Sequence, residues 1–363
     1  MIIGIPKEIK NGETRVSLTP ALAARCARAG ASVLVQQGAG LTAGFTDAEY
    51  AAAGAKIEAG ADAIWKSADL IIKVKEPLES EYDLLQNGQA LFTYLHLAAF
   101  PALARALLAK NVLGIGYETI EARDGSLPLL KPMSHIAGRL AIQVGAHFLQ
   151  TQNGGAGVLL GGVPGVKPGS VTIIGAGSSG AHACRIAAGM GARVTILDLD
   201  TRKLDSIDDM YRGAVTTLAA NPANIEAAVT DADLVVGAVL IPGAKAPVVI
   251  TEEMVRRMRP GSVLVDIAID QGGCMETIRP TSHQTPVYAR HGVIHYAVPN
   301  MPAMVGRTST IALTQATEPF IARFIEKGVK AALDESPGIA RGVNTRDGKI
   351  ANAAVAEALG YPG

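Results

Sequence analysis

Closely spaced cysteines are missing from this chain. Its three, Cys26, Cys184 and Cys274, are scattered in apolar or glycine-rich surroundings with no metal-ligand spacing. They read as reduced core thiols, so neither a disulfide framework nor a metal is expected. An excess of positive charge is missing as well: 33 Lys and Arg balance 33 Asp and Glu, with no basic run and no basic patch interleaved with aromatics. That argues against nucleic acid or an anionic membrane surface as a partner and favours a small-molecule ligand. No stretch approaches the roughly 18 apolar residues that span a bilayer, and the opening MIIGIPKEIK turns charged at Lys7. A soluble, cytoplasmic protein is the expectation. There is no internal repeat or low-complexity tract, and 363 residues exceed the size at which one core usually stops growing, so two domains are expected.

What is present is most informative over residues 171–198, VTIIGAGSSGAHACRIAAGMGARVTILD. An apolar strand runs into Gly175, Gly177 and Gly180, then a helix, then a second strand that ends in Asp198. In that order the first glycine permits the tight turn, the second lets backbone approach a pyrophosphate, and the third lets helix pack on sheet. The helix N-terminus offers unpaired N–H groups to the phosphates. Asp198 is placed to accept the ribose hydroxyls of NAD and to repel the extra phosphate of NADP. A tight structural turn is the plainer alternative, and Arg202 and Lys203 just beyond keep NADP open.

Elsewhere, strand-like runs alternate with amphipathic ones, the pattern of an α/β fold with helices on both faces of a parallel sheet. Strands are predicted at Ile2–Ile5, 32–35, 70–74, 90–94 and 112–116, and later at 234–237, 262–266 and 293–297. Thr19-Pro20 opens a helix that Gly30 closes, and Thr46-Asp47 opens another that ends near Gly54. A long helix is expected over 134–152, followed by glycine-rich turns or a hairpin up to the dinucleotide unit. Helical spacing resumes over 308–328, broken by Pro319, and a last helix covers 350–359. If these terminal helices return to the first domain, that domain is discontinuous. The expected architecture is two Rossmann-like, doubly wound domains joined by long helices with a cleft between them. Residues 1–128 plus 305–363 would carry substrate, and 129–304 would bind the dinucleotide.

Ligands of doubly wound sheets bind beyond the carboxyl ends of strands, which singles out Arg15, Lys75, His96 and Asp270. Arg15 offers a planar fork for a carboxylate, and Lys75 a compact charge for the same group or a carbonyl oxygen; either can equally be a solvated surface cation. His96 can exchange a proton near neutral pH, or can be an ordinary hydrogen-bonded histidine. Asp270, in DIAIDQGGC, competes with Asp266, and either can simply cap a turn. Tyr94, Leu130, Met133 and Met301 could line a small apolar pocket that admits a methyl group.

Nine segments, among them GIPKEIKNGETRVSLTP, LIIKVKEP, LFTYLHLAA, PLLKPMSHIAGRLAIQVGA, VTIIGAGSSG, VLVDIAIDQGGC and VPNMPAMVGRTST, resemble those of bacterial L-alanine dehydrogenases in the same order, over essentially the whole chain. The resemblance implies reversible, NAD-dependent oxidative deamination of L-alanine to pyruvate and ammonium by a homo-oligomer, usually a hexamer. It implies that Arg15 and Lys75 hold the substrate, with Tyr94, Met133 and Asn300 beside it, and that His96 and Asp270 are the catalytic pair. Cofactor contacts would come from Ser134, the glycine turn with Ser178 and Ser179, Asp198, Lys203, Val239, Leu240, Ile267, Ala268, Val298, Asn300 and Met301. The chain departs from the family pattern at His135, where an acidic residue is common, and at Ala219-Ala220, where a serine often meets the adenine end; its carboxyl end is shorter than in some members. A lysine or saccharopine dehydrogenase, a transhydrogenase subunit and a dinucleotide sensor are the competing readings of such a fold.

Overall fold

A computed structural model describes residues 1–239 and 245–361. The chain forms two compact units, Met1–Met133 with Ala303–Gly363, and Ser134–Pro302. Each is a sheet with helices, so the fold is α/β.

The first unit opens with β1 (Ile2–Ile5), α1 (Pro20–Arg28), β2 (Ser32–Gln36), α2 (Asp47–Ala52), β3 (Lys56–Glu58), α3 (Ala61–Ser67), β4 (Leu70–Ile72), β5 (Ala90–Thr93), α4 (Pro101–Ala109) and β6 (Leu113–Gly116). Helix starts follow their caps: Thr19 accepts from Leu22 N–H, and Thr46 and Glu49 form a reciprocal capping box. The β6-β5-β4-β1-β2-β3 order places β1 centrally, with all five pairings parallel. Crossovers running outward in both directions from β1, each right-handed by the general rule for parallel strands, would put helices on both faces. Ile3, Ile5, Leu70, Ile71, Ile72, Leu91, Phe92 and Ile115 are accordingly fully buried, as strands covered on both sides require.

Helix α5 (Lys131–Phe148) crosses the division between the units. It starts a turn before the expected 134 because Pro132 is tolerated in a first helical turn, and it stops before 152, where residues 150–155 fold into glycine-closed turns. The second unit continues with β7 (Ser170–Ile174), α6 (Ser178–Gly189), β8 (Arg193–Asp198), α7 (Thr201–Tyr211), β9 (Thr216–Ala219), α8 (Pro222–Thr230), β10 (Leu234–Gly237), α9 (Glu252–Arg257), β11 (Val263–Asp266), β12 (Val287–Arg290) and β13 (Val293–Tyr296). Its sheet order is β12-β13-β11-β10-β7-β8-β9, with the same central reversal, now at β7. All pairings of this sheet are parallel except that of the edge strand β12 with β13, which is antiparallel.

The chain then re-enters the first unit through α10 (Gly306–Lys327), α11 (Val329–Asp334), α12 (Pro337–Ala340), β14 (Val343–Arg346), β15 (Lys349–Ile350) and α13 (Ala353–Leu359). Pro319 does not break α10, contrary to the pattern reading. A proline inside a helix costs about 3 kcal/mol, but Leu313, Thr317, Ile321 and Phe324 are buried along one face, and Phe324 packs edge-on against Phe92 with ring centroids 5.3 Å apart. The final helix is likewise shorter than expected, since residues 349–350 pair antiparallel with β14, which in turn pairs antiparallel with β6. Gly114 makes that last pairing possible: its N–H donates to Thr345 Oγ1 at 3.0 Å, and a Cβ there would sit 2.5 Å from the same oxygen.

Among the described residues, no helix is long and apolar enough to cross a membrane. Nor, among them, does any group of three or more His, Cys, Asp or Glu side chains form a metal site. The three cysteines are buried and unbridged.

Candidate active site

Because the strands β1, β4, β5 and β6 run parallel, their carboxyl ends share one edge of the first sheet, and the residues just beyond them gather there. Arg15 lies in the long loop after β1, Lys75 three residues after β4, and Tyr94 and His96 directly after β5.

Arg15 is not a surface cation. It is 2% exposed, and its guanidinium meets the Glu13 carboxylate through Nε at 2.6 Å and an Nη at 2.5 Å, while the other Nη reaches Met133 Sδ at 3.1 Å. Burial opposes its charge, but the bidentate Glu13 contact more than offsets this and raises the guanidinium's pKa. The loop is anchored from the returning segment: Thr14 Oγ1 donates to the Ala303 carbonyl, and Val16 N–H donates to Thr310 Oγ1 at 3.1 Å.

Lys75 is partly buried, and its backbone is fixed from both sides. Its carbonyl accepts from Thr93 Oγ1 at 2.9 Å, and its N–H and that of Val74 donate to the Glu8 carboxylate at 3.4 and 2.6 Å. Glu8 also meets the fully buried Lys73, whose Nζ lies 3.3 Å from it and 3.0 Å from Glu81. Burial disfavours the Lys73 ammonium, yet the two carboxylates outweigh that and hold it charged.

His96 adopts a left-handed backbone, φ 47 and ψ 36, unusual for a residue with a side chain. Its ring is parallel to that of Tyr94, tilted by only 4° with centroids 5.8 Å apart. The Tyr94 hydroxyl donates to the Leu129 carbonyl at 2.6 Å. Neither ring nitrogen of His96 is hydrogen-bonded among the described residues. Burial lowers the imidazole's pKa below its usual range, Glu118 working against that shift and Lys75 with it.

In the second unit the carboxyl ends of β7, β8, β10, β11 and β13 also share an edge. Gly175 has φ 101, and a Cβ on it would lie 2.5 Å from the Ala238 carbonyl oxygen. A Cβ at Gly180 would come within 1.7 Å of the Gly175 oxygen, whereas at Gly177 nothing lies within 4 Å. The turn is therefore packed shut on both sides and open at its middle glycine, from which α6 begins. Gly138 of α5 presses on the same helix, where a Cβ would lie 2.0 Å from the Ser179 oxygen. Ser134 and His135 are partly buried one turn earlier on α5, and His135 stacks on His182 of α6 at 3.7 Å between centroids.

Asp198, at the end of β8, is 9% exposed and accepts from Ala176 N–H at 2.6 Å and Asp200 N–H at 2.8 Å. Lys203 Nζ lies 3.3 Å from it, while Arg202 is paired with Asp200 at 2.9 Å. Val239, after β10, is partly buried; Leu240 falls outside the described residues. Beyond β11, residues Ile267–Gln271 form a 3-10 turn that includes Ala268. Asp266 is the residue that caps it, accepting from Ala268 N–H and Cys274 N–H at 2.8 Å each, fully buried, with burial pushing its carboxyl up to about 6. Asp270 is exposed instead, and its carboxylate accepts the backbone N–H of Asn300 at 3.3 Å. The two aspartates thus differ in burial, and Asp266 is the one that caps the turn. Asn300 itself has φ 56, between the buried Val298 and Met301.

Sequence reasoning missed the acids beneath the candidates: Glu8, Glu13 and Glu118 each accept the backbone N–H of Lys75, Arg15 or His96. Their one sequence signal is that all three sit in loops after strands.

Residues 4–137 match the family "Alanine dehydrogenase/PNT, N-terminal domain" and residues 141–353 "Alanine dehydrogenase/PNT, C-terminal domain". An alanine dehydrogenase from Methanococcus maripaludis is 56% identical over 100% of this chain and 97% of its own length. One from Bacillus subtilis is 52% identical over 99% and 95%. A solved L-alanine dehydrogenase superposes with a TM-score of 0.97 at 48% identity, covering 99% of both chains. A transhydrogenase from Sinorhizobium meliloti shares the fold, with a TM-score of 0.84 at 24% identity over 98% of this chain and 100% of its own. Matched along nearly its whole length in this way, the chain belongs to the alanine dehydrogenase/PNT family.

Proposed function

We propose that this protein catalyses the NAD-dependent, reversible oxidative deamination of L-alanine to pyruvate and ammonium. The observation that carries this reading is the gathering of Arg15, Lys75 and His96 at one sheet edge in a chain whose full-length relatives are named alanine dehydrogenases. The same reading assigns residues up to 133 and from 303 on to substrate and the remaining unit to the cofactor, in a cytoplasmic homohexamer.

The second sheet fits a dinucleotide. Its open Gly177 admits a pyrophosphate to the α6 N-terminus, with Ser178 and Ser179 beside it, and the Asp198 carboxylate receives the adenosine ribose. NAD rather than NADP is favoured because Arg202 and Lys203 are already paired with Asp200 and Asp198, and so are less available to a 2′-phosphate. Ser134, Val239, Ile267, Ala268, Val298, Asn300 and Met301 line the remainder. When bound, NAD supplies the hydride acceptor.

The chain's own groups do the rest. Arg15 and Lys75 hold the carboxylate and the developing oxo group, with Tyr94, Met133 and Asn300 beside the substrate. This fixes the α-carbon in one orientation, the kind of positioning worth up to about 7 to 11 kcal/mol. His96, kept neutral by burial, takes a proton from the amine or from the attacking water and returns it to the leaving ammonia. Asp270 offsets the positive charge of the iminium formed when the α-carbon is oxidised.

The test is NADH absorbance on mixing purified protein with NAD and a panel of amino acids at alkaline pH, then with pyruvate, ammonium and NADH. Turnover confined to L-alanine and pyruvate is expected. NADH binding with no turnover across the panel would overturn the assignment. Light scattering in solution checks the hexamer.

A further inference from the structure

The reactive end of β5 is held from a neighbouring strand. Glu118, two residues beyond β6, accepts the N–H of Leu95 at 3.1 Å and that of His96 at 2.6 Å. These two successive N–H groups belong to the peptides immediately before the His96 φ bond, at which the chain enters the left-handed region. A side-chain-bearing residue resists that conformation unless its surroundings impose it. A charged acceptor for two successive N–H groups is a strong way to impose it.

We propose that Glu118 is the positioning residue for His96: it locks the backbone that aims the imidazole, and it acts through His96 without touching substrate. The inference rests on His96 being the proton carrier. The groups that face His96 are Glu118 and Glu76, which favour the imidazolium, Lys75 and Lys10, which oppose it, and the stacked Tyr94 ring; burial outweighs them all. Removing the Glu118 charge therefore makes His96 harder to protonate as well as freeing its backbone.

The experiment compares Glu118→Gln, which keeps one acceptor oxygen but no charge, with Glu118→Ala and with His96→Ala as reference. Steady-state kinetics across pH, NADH titration and thermal melting are measured for each. Glu118→Ala is expected to lose about 10²-fold in kcat, the effect of a misplaced reactive group. Its KM for L-alanine should change by no more than about threefold, because the binding cations remain. Glu118→Gln should lose less, retain NADH affinity, and show the acid limb of its kcat profile at lower pH than the parent. A purely structural role would lower the melting temperature and leave that limb in place. Parental kcat and acid limb in Glu118→Gln, beside an inactive His96→Ala, would overturn the proposal alone. An active His96→Ala would remove the proton-carrier reading and the positioning role with it. Should Glu118→Ala fail to fold, the Gln variant decides.

Discussion

One methyl group placed at either of two glycines in the same turn should weaken binding in both cases but destabilise the fold at only one of them. At Gly180 the new Cβ would lie 1.7 Å from the Gly175 carbonyl oxygen and 2.8 Å from its carbon. Both are backbone atoms, and Gly175 cannot retreat because its own Cα faces the Ala238 carbonyl. The start of α6 must therefore move by about 1 Å or more. Overpacking of this kind costs about 1 to 3 kcal/mol, and with no flexible side chain to yield, the upper end is expected. At Gly177 the added Cβ meets nothing within 4 Å, and φ −68 with ψ −171 suits an alanine. Exchanging glycine for alanine at this N-cap should cost about 1 kcal/mol or less. The methyl would, however, stand where the pyrophosphate backbone contact is proposed, and NADH affinity should fall at least about tenfold, or 1.4 kcal/mol. Thermal unfolding and NADH fluorescence titration of the two alanine variants separate these effects. Gly180→Ala should lose both stability and binding, and Gly177→Ala binding alone. A Gly177→Ala protein that binds NADH as tightly as its parent would refute the placement of the phosphates on this turn.

His96→Ala and Asp270→Ala should each abolish turnover while leaving NADH binding nearly intact, and an active variant of either kind removes that residue from the mechanism. Asp198→Gly should weaken NAD more than NADP in paired titrations; an unchanged preference would sink the ribose assignment. Acid should also destabilise the second unit through His295, which is fully buried, with Nε2 2.7 Å from Thr277 Oγ1 and Nδ1 2.9 Å from the Val293 carbonyl oxygen. Burial lowers it from 6.5 to about 4, so the unfolded chain binds the extra proton. Its stabilising contribution is whole above pH 6.5 and is lost as pH falls towards 4, to a limit of about 3 kcal/mol. Chemical denaturation of His295→Gln against the parent at pH 7 and pH 5 checks this, and an equal loss in both would refute it.

The chemistry-bearing edges were legible in the sequence because short-range rules govern them. Short apolar runs bounded by polar residues, proline or glycine located β1, β4, β5 and β7 to within two residues, and the spacing of Gly175, Gly177 and Gly180 marked the turn. What escaped depends on long-range contact. Strands β14 and β15 are short and only partly apolar, and they exist because β6 offers an edge more than 200 residues away. Pro319 reads as a break by local rules, yet the buried face of α10 overrides it. Glu118 and His96 are 22 residues apart, with all of α4 between them, so no periodicity joins them. The same holds for Glu8 and Lys75, 67 residues apart. Burial, which sets Asp266 apart from Asp270, is likewise invisible in a string of letters.

The left-handed backbone at His96 sets stability against reactivity at a single position. Glycine would adopt φ 47 without the penalty a side chain incurs there, about 1 to 2 kcal/mol. Selection for a tougher fold alone would thus draw this site towards glycine, and on the proposed proton-carrying role the imidazole persists only where turnover is under selection. A lineage that kept the nucleotide but gave up the chemistry would have a thermodynamic incentive to lose this residue early, so its identity doubles as a marker of whether a related chain still reacts.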